Sequence, residues 1–226
     1  MRHPVSTPDR VESQRTAPSL DHLVVAATTL AEGIDHLAAL TGAAPRIGGK
    51  HVGMGTHNAL LRLGSRVYLE IIAIDPDAEP PARPRWFDLD DPDLRADLVG
   101  GPRLVHWVVR TTDIDAMAAR SPIALGSVHA ASRGDYRWRI TIPDDGARPG
   151  GGIVPTLIQW DVDAHPADAL PASSVSLAGL AATHPEPAPV RRALAALGVD
   201  GVLPVSYDRE IRLAAMLRTP RGPVTL

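Results

Sequence analysis

The chain has no cysteine among its 226 residues. Disulfides and thiolate metal centres are therefore excluded, and any metal must be held by imidazole, carboxylate, amide or water. Aromatic residues are scarce, at 4% with a single phenylalanine, which leaves few platforms for stacking bases. Excess positive charge is missing too: the net charge of −3 gives no electrostatic case for a nucleic-acid partner. No apolar run approaches the roughly 20 residues that a membrane span needs, so no membrane partner is expected. The first residues, MRHPVSTPDRVESQRTAPS, are polar and lack the apolar segment of a signal peptide. Residues 1–18 read as a disordered leader outside the fold, and the expected location is the cytoplasm.

What is present is the balance of a soluble globular protein, 44% hydrophobic and 22% charged. The length suits one large domain or two small ones with a real core. The chain is organised around residues 50–74, KHVGMGTHNALLRLGSRVYLEIIAI. This stretch reads as two antiparallel strands, Asn58–Leu63 and Val67–Ala73, with a tight turn at Gly64-Ser65. Gly48, Gly49, Gly53 and Gly55 loosen the backbone before it, where a preceding strand must bend. Glu70 stands inside an apolar run, and a lone buried carboxylate is costly unless a cation or a hydrogen-bond network compensates it.

Taken in order, LDHLVVA (Leu20–Ala26) is a strand with Leu20, His22, Val24 and Ala26 on one face. A helix capped by Thr28 or Thr29 runs to Leu40 and ends at Gly42. A strand near Ala44–Lys50 and the central hairpin complete a first unit, residues 19–75. Residues 76–103 are a proline-rich connector with a short helix at Pro92–Leu98; Trp86-Phe87 within it could close a site as a lid or only anchor the loop. The pattern restarts at LVHWVVR (Leu104–Arg110), continues through a helix at Asp113–Arg120 and strands near Gly126–Ala131 and Tyr136–Ile142, and closes with TLIQWDV (Thr156–Val162). This second unit spans residues 104–168. Matching the units pairs His22 with His106 and Glu70 with Gln159, at separations of 48 and 53 residues in the sequence. One supersecondary unit is thus used twice. A weaker third copy, 175–226, carries Gly179 where a histidine would stand and reads as a structural cover or edge extension.

These features, with LDHLVV, GGKHVGMGTHNALLRLG, YLEIIAIDP, WRITIPDD and the His165-Pro166 stretch, resemble the vicinal oxygen chelate superfamily. Within it the chain is similar to the glyoxalase-like domain proteins over about residues 19–226. The resemblance implies an α+β fold of tandem βαβββ modules, of the glyoxalase/bleomycin resistance/dioxygenase type, with a degenerate third module. It also implies a cavity between two curved half-sheets, which in many members holds a divalent metal. Carried over by position, the metal set is His22, Glu70, His106 and Gln159. Zinc, iron, manganese, nickel and cobalt all suit such ligands, and a site without metal remains open.

Strand parity turns Asn58, Leu60 and Arg62 toward the cavity and Ala59, Leu61 and Leu63 toward the helix. Asn58 is then a candidate for orienting a substrate oxygen. His57 is a weaker one, pointing away unless a bulge intervenes; His51 is assigned neither to cavity nor to loop. In the second unit Trp138, Ile140 and Ile142 are taken as the helix-facing side, which turns Arg139 inward to bind a substrate carboxylate or to pair with Glu70. His129, His165 and His184 carry no assigned chemistry. The resulting expectation is a metal-dependent lyase or isomerase acting on a small oxygenated metabolite, with Glu70 as proton shuttle. The alternatives are a metal-free protein that sequesters a small molecule, and an iron dioxygenase built on His22, His106 and Glu70. Superfamily cavities are often completed at dimer interfaces, so a homodimer is a further expectation.

Overall fold

The computed structural model describes residues 17–226; the expected leader lies, up to residue 16, outside the described residues. The first unit comprises β1 (Ser19–Ala26), α1 (Leu30–Thr41), β2 (Arg46–His51), β3 (Thr56–Gly64) and β4 (Val67–Ile74). Thr29 caps α1 by accepting a hydrogen bond from the Glu32 amide, and Gly42, in the left-handed conformation with φ of 73°, ends it. The helix lies close on β4: a Cβ at Gly33 would come within 2.4 Å of Ile71 Cγ2. The connector contains α2 (Pro92–Leu98). The second unit follows as β5 (Arg103–Arg110), α3 (Ile114–Arg120), β6 (Ser127–Arg133), β7 (Tyr136–Ile142) and β8 (Thr156–Trp160).

The two units form one eight-stranded sheet in the order β2-β3-β4-β1-β5-β8-β7-β6. β1 pairs with β4, and β5 with β8, in parallel; β1 and β5 meet antiparallel at the centre, so each unit mirrors the other in topology. The sheet curls until its edge strands β2 and β6 come together. After α4 (Pro166–Ala169), the remaining chain folds as β9 (Ser176–His184), α5 (Pro187–Ala196), β10 (Val205–Tyr207), β11 (Arg212–Thr219) and β12 (Gly222–Thr225). These strands make a separate sheet in the order β10-β9-β11-β12.

Alternation along the strands divides the interior in two. Leu23, Val25, Ala59, Leu61, Leu69, Ile71, Trp107, Val109 and Leu157 pack on the outer side with the helices and the second sheet. Val24, Ala26, Ile72, Val108, Trp138, Ile140, Ile142 and Ile158 face the inside of the curl. There the connector fills the hollow with Trp86, Phe87, Leu89, Leu94 and Leu98. Each fully buried Leu, Ile or Phe contributes about 1.5–3 kcal/mol, so the connector is a structural plug as well as a linker.

β3, β4 and β1 from His22 onward carry the expected parity; Leu20, expected beside His22, packs instead on the outer side, and β7 carries the opposite parity throughout. Its apolar side, Trp138-Ile140-Ile142, faces inward, and Arg139 faces outward, where it pairs with Asp115 and Asp161 at 3.3 and 3.2 Å. The physical reason is that the inner wall contributed by the second unit is apolar, whereas the rule that polar residues line a cavity holds only in the first unit.

Candidate functional site

His22, on β1, and Glu70, on β4, are brought together inside the curl: His22 Nε2 lies 3.5 Å from Glu70 Oε2. Both are buried, at 4% and 5% exposure. The other carboxylate oxygen accepts a 2.5 Å hydrogen bond from Asn58 Nδ2 on β3. A two-residue bulge in β2 prepares Asn58 for this. Gly48 and Gly49 stand between Ile47, paired with Ala59, and Lys50, paired with His57, so two residues oppose Asn58 alone. The Gly49 amide donates to Asn58 Oδ1 at 2.9 Å, and a Cβ on Gly48 would lie 2.2 Å from that oxygen.

A second bulge builds the support for His22. β1 skips Asp21 in its pairing with β5, so Leu20 and His22 oppose the consecutive residues Val109 and Val108. Asp21 is fully buried and accepts three hydrogen bonds: His22 Nδ1 at 2.7 Å, Trp160 Nε1 at 2.9 Å and His165 Nε2 at 3.1 Å. Burial opposes its charge, yet the hydrogen bonds from His165 and His22 outweigh that and hold the carboxyl well below the usual range. His165 Nδ1 accepts from the Ala167 amide, so its proton sits on Nε2 toward Asp21. By the same logic Asp21 keeps the His22 proton on Nδ1 and points the Nε2 lone pair at Glu70. Tyr68 stacks on the His22 ring at 4.6 Å, and burial pushes its hydroxyl well above 10, so it stays a neutral donor.

His51 closes the first-unit cluster, its Nε2 at 4.0 Å from Glu70 Oε1. That nitrogen faces two donors, Arg133 Nη1 at 3.3 Å and Asn58 Nδ2 at 3.4 Å, while Nδ1 meets Thr56 Oγ1 at 3.1 Å. Nε2 is therefore the acceptor. Burial, assisted by Arg133, pushes the ring down to about 4 and keeps it neutral near pH 7. His22, His51, Asn58, Tyr68, Glu70 and Arg133 share a cavity of about 30 Å³ with Trp86, Phe87, Trp138 and Trp160. That is room for about one water molecule. Phe87 and Asp88 hold positive φ of 61° and 58°, and Asp88 is tied by Arg148 Nε at 2.7 Å.

The remaining expected residues are elsewhere. His106 is fully buried with both nitrogens engaged: Nδ1 with Gly152 O at 3.1 Å, and Nε2 with the amide and hydroxyl of Thr156 at 3.1 and 3.0 Å. Since Nε2 accepts from an amide, Nδ1 is the donor, and burial, with nearby Arg148, pushes the ring down to about 3. Gln159 lies on the outer side of β8, where Oε1 accepts from the Ile114 amide at the start of α3. Register identifies the true counterpart of Glu70: Val24 pairs with Glu70 in the first unit and Val108 with Thr156 in the second. The separation from His106 is then 50 residues, matching the 48 of the first unit more closely than 53. His57 points away from Asn58, and its buried Nε2 has no partner among the described residues. Asp21, His51 and Arg133 are the site residues that sequence reasoning passed over or left unassigned. The Gly48-Gly49 pair opposite Asn58 was the available signal for a bulge there.

Two βαβββ units wrapped around one polar cavity define the vicinal oxygen chelate arrangement, and the comparisons agree. The profile of the glyoxalase-like domain family matches residues 20–198, and the chain belongs to that family. Comparison with curated protein sequences gives no match. Among solved structures, a hypothetical protein from Staphylococcus aureus superposes with a TM-score of 0.54 at 14% identity, covering 93% of this chain and 84% of that one. This likeness shows the fold alone. Methylmalonyl-CoA epimerase in complex with methylmalonyl-CoA and NH4+ is similar at a TM-score of 0.42 and 18% identity, over 67% of this chain and 100% of that one. The methylmalonyl-CoA epimerase of Mycobacterium tuberculosis gives 0.37 and 23%, over 62% and 85%.

Members of this superfamily often hold a divalent metal between the two units, and the donor set here does not fit that arrangement. His106 spends its lone pair on Thr156, Thr156 stands where a second carboxylate would be, and Gln159 faces away. The His51 lone pair is taken by Asn58 and Arg133. Among the described residues no group of three or more His, Cys, Asp or Glu side chains is placed to hold a metal. The triad of His22, His106 and Glu70 needed for an iron dioxygenase is likewise not assembled.

Proposed function

We propose that the chain is an enzyme that moves a proton at a carbon beside a carbonyl of a small oxygenated metabolite. This is the isomerase or lyase end of glyoxalase-type chemistry, with Glu70 as the proton shuttle. The observation that carries the reading is the placement of the Glu70 carboxylate. It is buried, fixed on one side by Asn58 at 2.5 Å, and set 3.5 Å from His22 Nε2 on the other. A general base needs this combination of fixed orientation and a partner that can share its proton.

In the derived sequence the substrate C–H gives its proton to a Glu70 oxygen, and the electron pair moves onto the carbonyl oxygen as an enolate. Return of the proton to either face, or loss of a leaving group from the neighbouring carbon, completes an isomerisation or an elimination. His22, oriented by Asp21 and stacked on Tyr68, accepts the proton from Glu70 and resets it. The four large aromatic residues around the cavity leave room for about one water molecule, and so dry a surrounding strengthens each of these interactions.

Deuterium exchange tests this without knowing the natural substrate. A panel of 2-oxo and 3-oxo acids and their esters in D2O is followed by proton NMR. The wild type should exchange the α-hydrogen of at least one compound, and Glu70→Gln should slow it by about 10²–10⁴. A second reading, metal-free sequestration of a small molecule, draws support from the walls: Tyr68, Trp86, Phe87, Trp138 and Trp160 gather most of the chain's aromatic side chains around one cavity. Tight binding without exchange would select it.

A further inference from the structure

The second unit contributes a cation to the site in place of ligands. Arg133, the last residue of β6, reaches across the seam between the sheet's two edges, its stem lying over the bare Cα of Gly49. A Cβ there would come within 2.8 Å of Arg133 Cδ. The guanidinium donates through Nη1 to Asn58 Oδ1 at 3.1 Å and to His51 Nε2 at 3.3 Å. Asn58 in turn donates to Glu70. The cation is therefore held two hydrogen bonds away from the carboxylate without neutralising it: among the described residues Arg133 has no ion-pair partner, and the nearest ring nitrogens to Glu70, on His22 and His51, lie 3.5 and 4.0 Å away.

What Arg133 leaves unused is informative. Nε and Nη2 make no hydrogen bond among the described residues, and these two N–H groups project in parallel from one edge of the guanidinium, the fork that matches a carboxylate. The same cavity is lined by Trp86, 6% exposed, whose indole N–H is buried without a partner among the described residues. On this side of the cavity the Trp86 N–H is a buried donor without an acceptor among the described residues, which is costly, while the free edge of the half-buried Arg133 is open to a ligand. An anionic, oxygen-rich ligand supplies what is lacking.

We propose that Arg133 binds the carboxylate of an oxo-acid substrate and carries the electrophilic role that a chelated metal has elsewhere in the superfamily, so that the site works without a metal. The inference rests on the acid–base reading and names its substrate class, a small carboxylic acid with a carbonyl beside the reacting carbon. Asn58 stands between the two groups, so a substrate held by the guanidinium at the seam reaches Glu70 once the cavity of about 30 Å³ widens there. A fixed guanidinium at this point also disfavours a divalent cation beside it by like-charge repulsion.

Oxalate, a planar dianion, is the probe, with neutral oxamide as its control, titrated calorimetrically into chelator-treated protein. The expected result is metal-independent binding of oxalate and not of oxamide, weakened at least ~10-fold in Arg133→Ala and partly recovered in Arg133→Lys, which keeps the charge but loses the fork. Glu70→Gln should bind oxalate as well as wild type or better, since a like charge is removed. Far-ultraviolet circular dichroism and thermal unfolding check that the variants fold. Absence of oxalate binding at millimolar concentrations, binding that appears only when zinc, manganese or iron(II) is added, or an affinity unchanged in Arg133→Ala would each overturn the proposal. The two readings fail separately. If Arg133→Ala leaves oxalate binding intact while wild type still exchanges α-hydrogen, the anion site is wrong and the acid–base reading stands. If oxalate binding depends on Arg133 but no exchange occurs, the anion site stands and the acid–base reading falls.

Discussion

Replacing Asp21 by asparagine keeps the size of the side chain and removes its charge. The carboxylate accepts from His22, Trp160 and His165 at 2.7, 2.9 and 3.1 Å in a fully buried position. Hydrogen bonds to a charged group are worth about 1.5–3 kcal/mol and neutral ones about 0.5–1.5. If the asparagine oxygen keeps Trp160 and His165, each bond loses ~1 kcal/mol. The amide then faces His22 Nδ1, so that bond survives only if His22 moves its proton to Nε2. The gross loss is about 4 kcal/mol, and relief of the buried charge returns part of it. The expected net cost is about 2–3 kcal/mol, or a fall in Tm of about 5–10 °C for a chain of this size. Urea unfolding at pH 7, followed by tryptophan fluorescence, measures the first. Nitrogen-15 shifts of His22 report the second consequence, transfer of its proton from Nδ1 to Nε2. A cost below about 0.5 kcal/mol with the His22 tautomer unchanged would refute the account of Asp21 as the group that sets His22.

Acid should destabilise the protein through its neutral buried histidines. His51 and His106, pushed down to about 4 and about 3, stay unprotonated in the fold while the unfolded chain takes up protons below about 6.5. The unfolded state then binds more protons, so stability rises with pH and is lost as pH falls from about 6.5 toward 4, by roughly 2 kcal/mol per histidine at pH 5. His106→Gln should be less stable at pH 7.5 yet show about half the slope in urea unfolding; an unchanged slope would count against the assignment. Gly48→Ala would press a Cβ to 2.2 Å from Asn58 Oδ1, so it should displace Asn58 and lower α-hydrogen exchange more than stability, by at least ~10-fold. Trp86→Ala should cost about 3–5 kcal/mol and admit larger oxalate-like acids in the same calorimetric assay; equal affinity for small and large acids in both proteins would remove Trp86 as the wall that limits size.

The first unit was legible because its strands are amphipathic in the ordinary sense. In β4 the alternation of Leu69, Ile71 and Ala73 with Tyr68, Glu70 and Ile72 fixes which side meets α1, and the costly carboxylate falls on the cavity side. β3 carries Asn58 inward by the same count. The second unit resisted because its inner wall is apolar. β7 alternates clearly, Trp138, Ile140 and Ile142 against Arg137, Arg139 and Thr141, but its apolar side faces the curl and Arg139 lies outward. Gln159, matched to Glu70 by spacing, stands three residues past the register position Thr156. Asp21 was hidden by a bulge, which breaks the alternation that placed it opposite His22. Arg133 was hidden by distance. It acts through a sheet edge that meets β2 only when the sheet curls, a contact no local pattern encodes.

That curl has a consequence for motion. Around the eight strands every neighbour is tied by a backbone ladder except where β2 and β6 meet, and at that seam the tie is made by side chains, Arg133 lying over Gly49. Widening the cavity at any other point breaks a run of peptide hydrogen bonds, whereas the hydrogen bonds in the way here, among the described residues, are the two that Arg133 makes with His51 and Asn58. The sheet is thus a clasp whose catch is an arginine.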